Sequence, residues 1–162
     1  YDAEEYRRIV KNLRSAFDNA AITTDIMVAF PGETEEEFES SLAFAKEIGF
    51  AKVHVFAYSR RPGTVADSMP DQLTNRCKEE RNRRMIEPTD KSKKVFFRCQ
   101  EGRIEDVLFE RECDTNVWEG YTMNYTPVRA VSARPVGGEI LPVKLLRAEE
   151  DWCMGEIIQS RE

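Results

Sequence analysis

The sequence predicts two architectures in succession: a strand–helix–strand α/β unit with flanking helices, then a small antiparallel β-barrel of five strands. Three observations carry that expectation. Residues 22–58 read as apolar strand, amphipathic helix and apolar strand, with the order and length of a right-handed crossover between parallel strands. From Gly102 onward the pattern changes to short alternating runs divided by Gly, Pro, Asn and Asp. Between the two lies a helical stretch rich in Lys and Arg. The boundaries expected on this reading are 1–73, 74–98 and 99–162.

Asp2 followed by Glu5 is a capping-box signal, and Tyr6, Ile9, Val10, Leu13 and Phe17 then recur at helical spacing. AITTDIMVAF, closed by Pro31-Gly32, reads as a buried strand ending in a turn. Thr34 with Glu37 opens a second helix, lined by Phe38, Leu42, Ala45 and Ile48 and stopped by Gly49. AKVHVFAYS is the second strand. Alternation turns Ile22, Ile26, Val28, Val53, Val55 and Ala57 toward the helix. It leaves Thr23, Asp25, Met27, Ala29, His54, Phe56 and Tyr58 on the opposite face. SRRPGTVADSMPDQ is a loop, and Thr74 caps the next helix through RCKEERNRRMIE. Pro88 is expected to break or kink it, with a restart over TDKSKKVFFRC capped by Thr89 or Asp90. The barrel strands are RIEDVLFERE, VWEGYTMN, TPVRAVSA, EILPVKLLRAE and DWCMGEIIQ, similar in kind to an OB fold.

Two parallel strands do not make a stable α/β sheet, because such sheets are buried on both faces. The chain is therefore expected to be a truncated piece of a larger enzyme. Its 162 residues, 41% hydrophobic and 33% charged, suffice for a real core, and the net charge of −6 argues against nucleic-acid binding by total charge alone. A soluble, cytoplasmic protein without membrane contact is expected, since no apolar run approaches a membrane span. Cys77, Cys99, Cys113 and Cys153 lack metal-ligand spacing and read as separate reduced thiols, so no metal site is expected. No Ser-His-Asp set, Walker loop or HExxH motif is present, and the lone His54 reads more readily as a core residue than as a ligand.

In parallel α/β folds ligands bind beyond the carboxyl ends of the strands, which directs attention to the turn after Phe30 and the loop after Tyr58. Asp25 stands out as a carboxylate inside an apolar strand, where it needs a partner or a function; substrate-side polar work and a structural hydrogen bond are both open.

TTDIMVAFPGETEEEF followed by KVHVFAYSRRPGTVADSMPDQ resembles the last two barrel strands of the radical S-adenosylmethionine methylthiotransferases. HVFAYSRRPGT is most similar to the branch, of MtaB type, that methylthiolates threonylcarbamoyladenosine beside the tRNA anticodon. GYTMNYTPV, through Gly120, Asn124, Tyr125 and Val128, and Met154-Gly155-Glu156 resemble the TRAM domain of those enzymes. The resemblance implies a partial radical S-adenosylmethionine barrel holding that cofactor through Met27, Ala29, Gly32, Glu33, Phe56, Tyr58 and Ser59. In relatives a glycine commonly stands at the place of Ala29. The resemblance further implies two 4Fe-4S clusters and an electron donor for the full-length parent. The CxxxCxxC motif that holds the radical-generating cluster is absent here, so this chain alone is expected to be inactive. Related branches act on isopentenyladenosine in tRNA or on a ribosomal protein, and a non-catalytic RNA-binding module is a further alternative.

The partner implied is a tRNA anticodon stem-loop. Residues 76–98 carry nine Lys or Arg against four acids, a local +5 that suits phosphate contacts or, equally, a solvated helix face with internal ion pairs. Arg81, Arg84, Lys93 and Lys94 are the candidates there, with Arg60 and Arg61 nearer the expected pocket mouth. The barrel is acidic, so stacking is expected to contribute through Trp118, Tyr121 and Tyr125, with Arg129 on a phosphate; barrel core is the competing reading for the aromatics.

Overall fold

The chain, described over residues 2–158 in a computed structural model, forms two compact units. One comprises Tyr1–Ala16 and Ile22–Lys93, the other Phe17–Ala21 and Lys94–Glu162.

The first unit is built on α1 (Ala3–Ala16), β1 (Thr23–Val28), α2 (Glu35–Ile48), β2 (Lys52–Ala57), the short α3 (Val65–Ser68) and most of α4 (Asn75–Arg98). β1 and β2 pair in parallel, from Thr23 opposite Lys52 to Val28 opposite Ala57. The capping box of α2 forms as read: the Thr34 hydroxyl accepts from the Glu37 N–H, and the Glu37 carboxylate accepts from the Thr34 N–H at 2.8 Å. Gly49 ends the helix in the left-handed region at φ 62°, where a side chain would be strained. Phe38, Leu42, Ala45 and Ile48 then bury one helical face against Val28, Phe50 and Met85, with Ile22, Ile26, Val53, Val55 and Ala57 packed alongside. Each such large side chain contributes about 1.5–3 kcal/mol by leaving water. Of the expected α1 stripe, Tyr6 and Val10 join this core, whereas Ile9 and Leu13 stay exposed.

α4 is one helix, and the expected break at Pro88 is not there. Proline removes a single donor from the ladder. The surrounding turns are held from both sides: Met85 is fully buried in the core, and the buried Thr89 hydroxyl donates to the carbonyl of Met85 at 2.9 Å. Thr89 thus serves inside the helix rather than as a cap. At the start, Thr74 caps as expected, accepting from the Cys77 N–H at 3.3 Å.

The second unit is a closed barrel of β3 (Ile104–Asp114), β4 (Val117–Thr122), β5 (Pro127–Val131), β6 (Ile140–Ala148) and β7 (Cys153–Ile157), in the order β3-β4-β5-β7-β6 with β6 returning to β3. It is mixed, not wholly antiparallel: β5 and β7 pair in parallel, Arg129 opposite Met154. A closed ring with an odd number of strands cannot alternate direction all the way round, so one parallel seam is forced. Val107, Phe109, Val128, Ala130, Val143, Leu145 and Cys153 fill the interior with Phe97 and Val136. Gly120 is required where β4 crosses β3 closely, because a Cβ there would lie 2.3 Å from the Leu108 carbonyl oxygen. Beneath the β4–β5 turn, the fully buried Gln100 exchanges hydrogen bonds with Asn19 at 2.7 and 2.9 Å. Asn124 accepts from the hydroxyls of Thr122 and Thr126 at 2.6 and 2.7 Å and donates to the Asn19 carbonyl at 3.0 Å.

Candidate functional site

In the first unit, β1 runs out at Val28 and the chain turns through residues 29–33 before entering α2. Ala29 is fully buried yet held at φ 59°, a left-handed conformation that an L side chain adopts at a cost. Glu33 maintains the turn: its carboxylate accepts the Ala29 N–H at 2.8 Å and the Arg81 guanidinium at 2.6 Å. Arg81 also donates to the Glu33 carbonyl at 2.8 Å, and the Gly32 N–H donates to the Asp71 carbonyl at 3.0 Å. Tyr58, just beyond β2, donates its N–H to the Val28 carbonyl at 2.8 Å and sets its ring edge-on to Phe30 at 5.3 Å. The Lys78 ammonium lies 5.2 Å from the centre of that ring. The Tyr58 hydroxyl is buried without a partner among the described residues.

Ala29, Gly32, Glu33 and Tyr58 are thus brought together at the carboxyl ends of the two strands. Met27 and Phe56 are opposite each other across the strands on the face away from α2, 45% and 43% exposed, and Ser59 is exposed beyond them. Asp25 stands opposite His54 on that same face. Both are exposed, which corrects the expectation of a desolvated carboxylate and of a core histidine.

Of the basic residues singled out on α4, Arg81 is only 4% exposed. Its guanidinium is bound to Glu33 and, at 3.2 Å, to Glu35, and Arg84 pairs with Glu35 and Glu39. The Arg84 hydrogen bond holds Glu35 below the usual carboxylate range. Glu33 and Glu35 find these partners 46 to 49 residues away, with no local pattern to announce them. Arg60 is exposed but tied to Asp67 at 2.7 Å, Arg61 is exposed, Lys93 pairs with Asp90 at 3.4 Å and Lys94 with Glu150 at 3.1 Å.

On the barrel, Tyr125 is 83% exposed and sits at φ 61°, an uncommon conformation for a bulky residue, fixed by the polar network below it. Tyr121 is half-buried. Of the two readings open for Trp118, base stacking and barrel core, it takes the second and packs against the barrel interior, since the closing strands turn its side of β4 inward. Arg129 binds the buried carboxylate of Glu119 at 2.9 Å, which Arg111 also holds at 2.6 Å. These hydrogen bonds, Arg111 first, keep Glu119 below the usual carboxylate range despite its burial. The Arg129 guanidinium lies 4.9 Å from the ring centre of Trp152. Sequence reasoning missed both Trp152 and Glu119: the signal for Glu119 is its register between Arg111 and Arg129, and Trp152, just ahead of β7, meets Arg129 only once the barrel closes.

Among the described residues no group of three His, Cys, Asp or Glu side chains is placed to hold a metal ion, and no helix is long and apolar enough to cross a membrane. No protein-family model matches the chain. The chain is 34% identical, over 98% of its length, to a tRNA-2-methylthio-N(6)-dimethylallyladenosine synthase of Clostridium perfringens, of which it spans 36%. It is also 34% identical, over its entire length, to the threonylcarbamoyladenosine tRNA methylthiotransferase MtaB of Bacillus subtilis, of which it spans 37%. A Geobacillus kaustophilus synthase of the first type shows the same identity over 99% of the chain and 30% of the relative. The chain therefore spans about a third of the length of the curated relatives it matches. Along nearly all of its own length it is a homologue of the tRNA methylthiotransferases and corresponds to a segment of that family.

Proposed function

We propose that the chain is the carboxyl-terminal part of an enzyme that adds a methylthio group to threonylcarbamoyladenosine next to the tRNA anticodon. The observation that carries the reading is the 34% identity, along the whole chain, to proteins named for tRNA methylthiolation. The run HVFAYSRRPGT, with Ser59, Arg60 and Arg61 after β2, favours the threonylcarbamoyladenosine branch.

In this reading the first unit is the remnant of a radical S-adenosylmethionine barrel and supplies walls of the cofactor pocket. The fit rests on three features: the apolar pair Met27 and Phe56, the unpartnered Tyr58 hydroxyl, and the turn at Ala29–Gly32. Met27 and Phe56 would offer apolar surface to the cofactor, and Tyr58 and the turn would hold it beside them. Glu33 acts by fixing the turn, because its carboxylate is already held by the Ala29 N–H and Arg81. When bound, S-adenosylmethionine supplies activated methyl and adenosyl groups. The four cysteines are free and belong to no group placed to hold a metal among the described residues. The barrel and the exposed Arg60 and Arg61 provide contacts to RNA.

The test is nucleoside mass spectrometry of tRNA incubated with the purified parent enzyme, loaded with its cofactors. Gain of one methylthio group on threonylcarbamoyladenosine, and not on dimethylallyladenosine, is expected. Gain on dimethylallyladenosine alone moves the substrate to the other branch; gain on a protein and on neither nucleoside removes the tRNA reading.

A further inference from the structure

The barrel wall carries a row of outward side chains set by strand register. Arg111 stands opposite Glu119, Glu119 opposite Arg129, Arg129 opposite Met154 and Met154 opposite Arg147. Neighbours in such a row touch. Glu119 is 7% exposed, and it holds Arg111 through Nε and Nη2 at 3.1 and 2.6 Å and Arg129 through Nε and Nη2 at 2.9 and 2.8 Å. One carboxylate thereby orients two guanidinium planes. Each guanidinium has donors to spare, and Nη1 of both has no partner among the described residues. The Arg111 side chain is 70% exposed, and Arg129 is layered on Trp152. Tyr121, two residues along the strand from Glu119, faces the same way.

Stability gives little reason for this arrangement, since the cost of burying the Glu119 carboxylate offsets what the two arginines return and an apolar cluster would serve as well. Recognition gives a good one. Two pre-oriented arginine forks match a phosphate, and an arginine stacked on an indole makes a flat platform on which an unpaired base can lie. The strand order places β4 and β5 as second and third in the barrel, the face with which OB-type barrels bind oligonucleotides.

We propose that Arg111, Glu119, Arg129 and Trp152 form a binding surface for single-stranded RNA, the arginines holding a backbone phosphate and the Arg129–Trp152 stack receiving an unpaired base. This rests on the RNA-contacting role given to the barrel above and assigns it to one face. Glu119 is a positioning residue, acting through the arginines. Duplex RNA offers no free base to the stack, and an acidic peptide would use the arginines without needing the ring.

The chain has two tryptophans, of which Trp118 packs against the interior, so Trp152 emission reports on the surface. The full chain is titrated with single-stranded oligouridylate, a duplex RNA of the same length, and poly-L-glutamate. Oligouridylate is expected to quench emission, and Trp152→Phe to abolish that change. Arg129→Ala should weaken binding about tenfold, a magnitude ordinary for one stacked base, and should lower the salt slope by about one. Arg129→Lys should not restore it, and Glu119→Gln should weaken binding while the circular dichroism of the barrel is unchanged. RNA binding with undisturbed emission and with Arg129→Ala at full affinity overturns this surface and leaves the RNA role standing. Failure to bind either RNA removes both. Equal affinity for poly-L-glutamate reduces the row to a charge patch and likewise overturns the proposal.

Discussion

Two buried alanines of the first unit respond differently to glycine if the turn after β1 has the backbone described. Ala29 and Ala45 are both almost fully buried, but Ala29 is left-handed at φ 59° whereas Ala45 lies inside α2. Either substitution loses a buried methyl, about 0.8 kcal/mol. At Ala45 glycine also costs about 1 kcal/mol in helix propensity, giving a total near 2 kcal/mol. At Ala29 glycine adds about 0.4–1 kcal/mol of chain entropy but removes a left-handed penalty of about 1–2 kcal/mol, so the net is close to zero. The gap between the two variants is therefore about 1–2 kcal/mol. Urea unfolding followed by circular dichroism in the helix band measures it, because both residues belong to the same unit and that unit holds most of the helix. Equal costs for Ala29→Gly and Ala45→Gly would refute the left-handed backbone at 29. The expected result also means that the turn can present bare backbone to a ligand without loss of stability.

Arg81→Met should destabilise the first unit by about 3 kcal/mol, since it strands the Glu33 carboxylate behind the turn; a urea midpoint close to the parent's would show that the pair is dispensable. Gly120→Ala should cost the barrel about 3 kcal/mol or more, read from tryptophan emission on unfolding, because the new Cβ meets backbone that cannot move aside; a cost under about 1 kcal/mol would show that the strands separate easily. Burial pushes the Cys153 thiol from 9.0 to about 11, so it should stay silent to a thiol reagent at pH 8 while the exposed Cys99 and Cys113 react. Because the folded state keeps that proton longer than the unfolded state, the contribution of Cys153 to stability is intact below pH 9 and is lost as pH rises toward 11. A Cys153→Ala chain whose stability fell equally steeply over that range would contradict this.

Local chemistry was legible in the sequence. The capping box of Thr34 and Glu37 and the Gly49 stop act within a turn of helix, so a short window contains both partners. The sorting of β1 and β2 side chains was also legible, because strand periodicity alone decides it once a helix covers one face. The parallel seam between β5 and β7 was implied by counting strands in a closed ring, but no residue announces it. Of the break or kink expected at Pro88, the break does not occur, because a helix pinned by Met85 in the core tolerates one lost donor. Trp118 and Trp152 were indistinguishable as ring-bearing strand residues until closure of the barrel turned the first inward and left the second beneath Arg129.

The arginines show the same limit most sharply. A count of charges along α4 suggested an outward stripe, yet Arg81 and Arg84 turn to carboxylates of α2, and on the barrel two arginines converge on one glutamate. Charge counting cannot separate a cation that binds a partner from one that fixes the protein's own shape, because the two differ only in the position of a carboxylate remote in sequence. In this chain the distinction follows the carboxylate's other contacts. Glu33 also holds the Ala29 N–H, so Arg81 is committed to the shape of a turn. Among the described residues the Glu119 carboxylate binds only the two guanidiniums, leaving each with donors directed to no described residue, and its burial fixes where those donors stand. A buried carboxylate shared in this way adds little to stability but sets geometry, which is what a recognition surface needs.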